Sequence, residues 1–244
     1  MRIIRNFDEL VEGVMEEDVL ARKTCLELVE TGIKAANPIS AVKRFLKVRG
    51  NEVIVGNKSV NLEKTSSVIV VGGGKASGLM AQAVEEVLGD RVSGGLVSVP
   101  EGTENLVNTK HVKIRGAGHP IPNDNSVANS MDIVELVSEV NRDTLVLVVI
   151  SGGGSALMCY PRNPVNLKDK QCLTQELLKC GANINEINTV RKHVSLIKGG
   201  WLAKHIYPKE AISLIMSDVV GDPLEFIASG PTVPDTTTFK DAEK

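Results

Sequence analysis

The chain has 244 residues, with 28 basic and 30 acidic side chains for a net charge of −2, 42% hydrophobic residues and 24% charged ones. That mix supports a buried core for one large domain or two small ones and excludes disorder as the main state. Aromatic residues make up only 3%, so base-stacking platforms and a broad electrostatic footprint for nucleic acid are not expected.

The first 50 residues read as helices. Leu26, Val29 and Ile33 recur at helical spacing after Thr24, a candidate cap. Asn37-Pro38 interrupts, because the residue before proline avoids the helical region. A second helix then carries Val42, Phe45 and Leu46. From Asn51 to Leu62 the pattern alternates around Gly56-Asn57, a hairpin signal. Val68 to Val71 is a continuous apolar run broken by Gly72-Gly73-Gly74. Leu79, Met80, Ala83, Val84, Val87 and Leu88 follow on one helical face, with Gly89 as the residue after the helix end. Leu96 to Val99 and His111 to Ile114 are predicted strands, and Asn123 to Val140 a helix capped near Asn123. Leu145 to Ile150 is the clearest strand, ending at Ser151-Gly152-Gly153-Gly154-Ser155. A helical stretch from Lys168 to His205 and a last buried strand, Ala211 to Met216, complete the pattern.

Strands alternating with helices imply parallel crossovers, and continuous apolar strands imply a sheet covered on both faces. The expected fold is α/β: a doubly wound, Rossmann-like, mostly parallel sheet. Residues 1–62 form a helical lead-in and hairpin, 63–230 the α/β core, and the polar stretch 231–244 reads as a linker toward a further domain. No apolar run reaches bilayer length, and the N-terminus (Arg2, Arg5, Asp8, Glu9) shows no leader, so a cytoplasmic protein is expected. Cys25, Cys159, Cys172 and Cys180 make no C-x-x-C pair, and His111, His119, His193 and His205 no H-E-x-x-H, so neither a disulfide framework nor a dedicated metal cage is expected.

Ligands of open α/β sheets bind beyond the carboxyl ends of strands. Three strand ends here carry unusual chemistry. Gly72 to Gly78 (with Gly73, Gly74, Lys75 and Ser77) combines glycines, a following helix N-terminus and a mobile ammonium. It is not a Walker A loop, since Ala76 stands where Ser or Thr belongs, nor a full G-x-G-x-x-G, since Ser77 fills the third glycine position. Ser151, Gly152, Gly153, Gly154 and Ser155 can form a nest of amides for phosphate, whereas a nucleophile elbow would need serine at Gly153. Asp218 and Asp222 follow the last strand and suit Mg²⁺ coordination or proton abstraction, or, for Asp222, capping of a helix around Leu224 to Ala228. On a helix from Ile184 to Ile197, Ile187, Val190, Val194 and Ile197 form a buried stripe, and Asn188, Arg191, Lys192 and Ser195 gather on the opposite face as an anion-facing line. His119, in a proline-stiffened turn, is placed to reach a ligand.

In series, GGGKAS (Gly72–Ser77), GHPIPN (Gly118–Asn123), ISGGGSAL (Ile150–Leu157), INEINTVRKHVSLIKGGWL (Ile184–Leu202) and SDVVGDPLEFIASGPTVPD (Ser217–Asp235) resemble the glycerate 2-kinase family. Asn123 stands where many relatives carry aspartate. Family members continue into a second domain, so residues 1–244 alone are expected to have little activity. The resemblance implies ATP-dependent phosphorylation of D-glycerate at its 2-hydroxyl, with ATP and Mg²⁺ as cofactors. It implies a small-molecule substrate, no nucleic acid or membrane partner, and is compatible with a homodimer. Lys75, Asp218 and Arg191 would be catalytic. Gly73, Gly74, Ser77 and Ser151 to Ser155 would hold ATP. His119, Asn188 and Lys192 would hold glycerate, and Asp218 and Asp222 the metal. Two rival readings remain: an NAD(P)-dependent hydroxypyruvate reductase, with Glu101 on a ribose, and a non-catalytic nucleotide- or phosphosugar-binding module.

Overall fold

The computed structural model describes residues 2–13 and 15–244. Its lead-in consists of α1 (Phe7–Val11), α2 (Glu16–Ala35) and α3 (Pro38–Phe45). Helix α2 runs straight through Thr24, whose hydroxyl donates to the Leu20 carbonyl one turn back (2.9 Å) instead of capping a new helix. The stripe expected on α2 is not a core stripe: Val29 and Ile33 are exposed, and Glu30 is its buried residue. Asn37 caps α3 by accepting the Ser40 amide (3.0 Å), with Pro38 at the first helical position, where its missing N–H is not needed.

Leu46, expected on that helix, instead opens β1 (Leu46–Arg49). It pairs antiparallel with β2 (Glu52–Val55), which turns at Gly56-Asn57 into β3 (Lys58–Asn61). The main sheet follows: β4 (Val68–Gly73), α4 (Ser77–Leu88), β5 (Val92–Pro100), β6 (Val112–Ala117), α5 (Asp124–Glu139) and β7 (Leu145–Ser151). After it come α6 (Gly154–Leu157), α7 (Leu167–Lys179), α8 (Ile184–His193), α9 (Trp201–Ile206), β8 (Glu210–Met216) and α10 (Phe239–Ala242). The single helical stretch expected from Lys168 to His205 is thus three helices. Asn183 caps the second by accepting the Asn185 and Glu186 amides, and Gly199 and Gly200, both at positive φ, separate it from the third.

The five strands are all parallel, in the order β6-β5-β4-β7-β8. Along β4, Val68 and Val70 face one core with α3, α4 and the small sheet, while Ile69 and Val71 face another with α5 and α9. Both faces are covered, which is why β4 and β7 are apolar at nearly every position. The sheet is doubly wound, as the sequence pattern implied. No helix among the described residues is long and apolar enough to cross a membrane.

One expectation fails after β8. No α-helix forms around Leu224 to Ala228; that stretch holds one 3₁₀ turn, Ile227–Ser229, so Asp222 caps nothing and sits exposed at φ +50°. The polar stretch 231–244 contacts α8. Asp235 binds Lys192 (2.6 Å), and Phe239 of α10 meets the His193 ring edge-on at 4.7 Å between centroids.

Candidate functional site

The chain reverses direction across the sheet between β4 and β7, the neighbouring central strands, so the turns that leave their carboxyl ends flank a topological switch point. Gly73 is paired with Ile150, which sets the first glycine turn beside the second.

The first turn is locked. Gly74 N–H donates to Ser98 O (3.1 Å), Lys75 N–H to Gly152 O (2.9 Å) and Ser77 N–H to Gly74 O (3.2 Å). Ala76 N–H donates to Ser151 Oγ (2.9 Å), which also meets Ser77 Oγ (3.2 Å). Glycine is required at 74: its φ is +153°, and a Cβ there would lie 2.1 Å from Ser151 Oγ. Gly73, Gly74 and Ser77, expected on the ligand face, are therefore buried in the joint between the turns. What the first turn leaves exposed is the Lys75 side chain.

The second turn is open. Among the described residues, no acceptor takes the amides of Gly152, Gly153 or Gly154. Gly153 holds the left-handed conformation (φ +84°) that starts α6. A Cβ on Gly153 would lie 2.8 Å from His119 Nε2 and 3.2 Å from Lys75 Cε, and one on Gly152 would lie 2.1 Å from Asp218 Oδ2. Imidazole, ammonium and carboxylate thus ring the same free amides. Partial burial of the ring, and then the nearby Lys75 charge, hold His119 below its ordinary pKa. Asp222 is exposed, and no group of three His, Cys, Asp or Glu residues able to hold a metal exists among the described residues.

A hydroxyl relay supports the open turn from behind. Ser155 Oγ meets Ser229 Oγ (2.8 Å), and Ser229 Oγ donates to Asn188 Oδ1 (3.2 Å). Ala228 and Ser229 both adopt positive φ (52° and 63°), a conformation unfavourable for residues with a Cβ. Asn188 is buried at the end of this relay and does not line the cleft described next.

That cleft, of about 410 Å³, adjoins the open turn, with Gly153, Ser155 and Ala156 in its lining. Its walls come from the His119–Pro122 turn, α6, α7 and α8, and they include Cys159, Lys170, Arg191 and Lys198. Gln171 Nε2 fixes the proline turn by donating to Pro122 O (2.7 Å). The polar line expected on the outside of α8 is turned inward: Asn188, Lys192 and Ser195 are buried, whereas Val190 of the expected apolar stripe is only half-buried. Arg191 reaches the cleft. Lys192 does not; its ammonium is held by Asp235. Burial works against the Asp235 charge, but the Lys192 ammonium and the hydroxyl and amide of Thr237 outweigh it and keep that carboxyl low.

Electrostatically the cleft is one-sided. Burial lowers the pKa of Lys170, Arg191 and Lys198, and Lys198 falls to about 7 under burial and the charges of Lys170 and Arg191. Lys198 stands in the sequence only as one residue of the INEINTVRKHVSLIKGGWL stretch. Lys170 carried no signal, since its place in the chain is an ordinary amphipathic helix and burial is set by α8 packing across it. Glu101, the ribose partner of the reductase reading, is already engaged: its Oε1 accepts from Asn123 Nδ2 (2.7 Å) and Asn125 Nδ2 (3.1 Å).

Comparison with known proteins fits this layout. The family described as a domain of unknown function, DUF4147, matches residues 24–244. A glycerate 2-kinase from Pyrococcus horikoshii is 43% identical over 223 residues, covering 91% of this chain and 49% of that protein. A crystal structure of a P. horikoshii protein superposes with a TM-score of 0.83 at 43% identity, over 91% of this chain and 50% of the other. A Thermotoga maritima structure described as a glycerate kinase gives 0.76 at 40% identity, over 89% and 49%. The chain spans about half the length of these relatives. The family match over residues 24–244 and these relatives show that the chain belongs to the DUF4147, glycerate 2-kinase family.

Proposed function

We propose that this chain supplies the N-terminal, ATP-binding domain for phosphorylation of D-glycerate at its 2-hydroxyl. The observation that carries the reading is the convergence of Lys75, the free amides of Gly152 to Gly154, and Asp218 on one rim. Phosphoryl transfer asks a protein for alignment and charge neutralisation more than for covalent chemistry. The open amides are suited to nucleotide phosphate oxygens. Lys75, flexible and next to them, would follow the transferred group as the bond to the β,γ-bridging oxygen breaks and the bond to the acceptor hydroxyl oxygen forms. Such preorganised contacts are worth roughly 10²–10³-fold each in rate.

Asp218 is the residue that would hold Mg²⁺. Its carboxylate lies against the amide nest, and Mg²⁺ in nucleotide sites takes one or two carboxylates together with phosphate oxygens and water, so a cage of three ligands is not needed. Bound there, the metal supplies neutralisation of phosphate charge. In a loose transition state the acceptor hydroxyl keeps its proton until late and then gives it to water or a phosphate oxygen, which favours this role of Asp218 over proton abstraction. His119, on the cleft side of Gly153, would orient the acceptor. Ser155, Ser229 and Asn188 hold the nest in shape. The test is calorimetric titration of ATP with Mg²⁺ into the chain, together with a coupled assay of glycerate-dependent ADP release run on the chain joined to the second half that its relatives carry. Binding that Lys75→Ala weakens and glycerate-dependent release support the reading; a chain that binds no ATP rejects it.

A further inference from the structure

Three cations meet in the cleft behind Gly153, and no carboxylate among the described residues is paired with any of them. Lys198 is 1% exposed, and two of its three donors go to Ser155 O (2.7 Å) and Met158 O (2.8 Å). Lys170 is 6% exposed and has one long contact, 3.4 Å to Val194 O. Arg191 has no acceptor for its fork among the described residues; burial and neighbouring Cys159 are what act on it. Their remaining donors line the cleft, whose other walls (Pro120, Ala156, Leu178) are apolar. Uncompensated buried cations are unfavourable, and a bound anion offsets that.

The kind of anion follows from the surroundings. At about 410 Å³ the cleft is at the small end of ligand sites. Polyphosphate already has the free amides and Lys75, which is absent from the cleft lining. Apolar walls beside a cationic end suit a short carbon chain ending in a carboxylate, and the planar Arg191 fork matches both its oxygens. We propose that Lys170, Arg191 and Lys198 form the seat for the carboxylate of the acceptor acid, an assignment that rests on the kinase reading above and adds Lys170 and Lys198 to the residues that determine specificity.

An uncharged analogue leaves the seat unpaired, so glyceramide is rejected relative to D-glycerate. The test titrates D-glycerate, glyceramide and ATP separately into the chain and its variants by calorimetry. Lys198→Met also removes two carbonyl contacts, so Lys170→Met and Arg191→Met carry the test. Each is expected to weaken D-glycerate binding about 10–100-fold, to leave ATP binding within about twofold, and to erase the preference over glyceramide. Lys170→Arg is expected to restore most of the loss. Unchanged D-glycerate binding in both Met variants, or a fall in ATP affinity alone, overturns the seat. A wild-type chain that binds ATP but not D-glycerate overturns the seat and leaves the amide nest standing; a chain that binds neither overturns both.

Discussion

The two glycine turns at the switch point are near-twins in sequence, GGGKAS and SGGGSA, yet they do opposite work. The amides of Gly74 to Ser77 are all taken, the first three by neighbouring segments and that of Ser77 within the turn, and only the Lys75 side chain faces outward. The amides of Gly152 to Gly154 are left free. Glycine repeats at a strand end therefore do not by themselves mark a phosphate cradle. What decides is whether the backbone donors are already taken, and here Ser151 decides it by accepting from the first turn through its hydroxyl.

Substitutions can break this division one side at a time. Lys75→Ala removes the outward group alone; with the chain joined to the second half that its relatives carry, it is expected to slow glycerate-dependent ADP release about 10³-fold, close to 4 kcal/mol of barrier, with stability unchanged within about 0.5 kcal/mol. A retained rate in the coupled assay would remove Lys75 from the chemistry. Gly74→Ala attacks the joint: its Cβ would press on Ser151, and we expect a loss of about 3 kcal/mol, read as a lower urea midpoint. Ser151→Ala leaves the Ala76 amide without its acceptor at an expected loss of about 2 kcal/mol, and weakens ATP binding because the open turn loses its brace. A urea midpoint equal to wild type would show that the hydroxyl holds nothing.

The last effect is on pH. Lys198 props the open turn through Ser155 O and Met158 O, with a folded pKa of about 7 against an ordinary 10.5. Between those values the unfolded chain binds more protons than the folded one, so this group makes stability rise with pH above about 7, by at most about 1.4 kcal/mol per pH unit. Below pH 7 both states are protonated and its contribution is flat. Melting curves of wild type and Lys198→Met across pH 6 to about 9 should differ in slope only above neutrality. Parallel slopes would count against a buried, titrating ammonium.

Much of this layout is legible from residues alone, because strand termini in a doubly wound sheet converge. Val68 to Val71 and Leu145 to Ile150 announce buried parallel strands, and the glycines after them announce the switch point. Asn123 ahead of α5 and Gly89 after α4 are read correctly because caps are local chemistry. What fails is long-range. The α8 line divides, with Arg191 toward the cleft and Lys192 toward Asp235, because α10 and the stretch before it dock there, and helical periodicity gives an angle without a partner. Val29 and Ile33 have the spacing of a core stripe, but no core meets them.

The bond from Lys75 N–H to Gly152 O has one more consequence. It bolts the edge of one strand to the edge of the next, so a ligand arriving at the rim finds the seam already closed and has nothing to pry apart. Deuterium should therefore enter the backbone of Gly152 to Gly154 within the earliest labelling times, while Lys75 and Ala76, a few ångströms away, keep their protons far longer. Soaking with nucleotide would slow the first group and leave the second as it was.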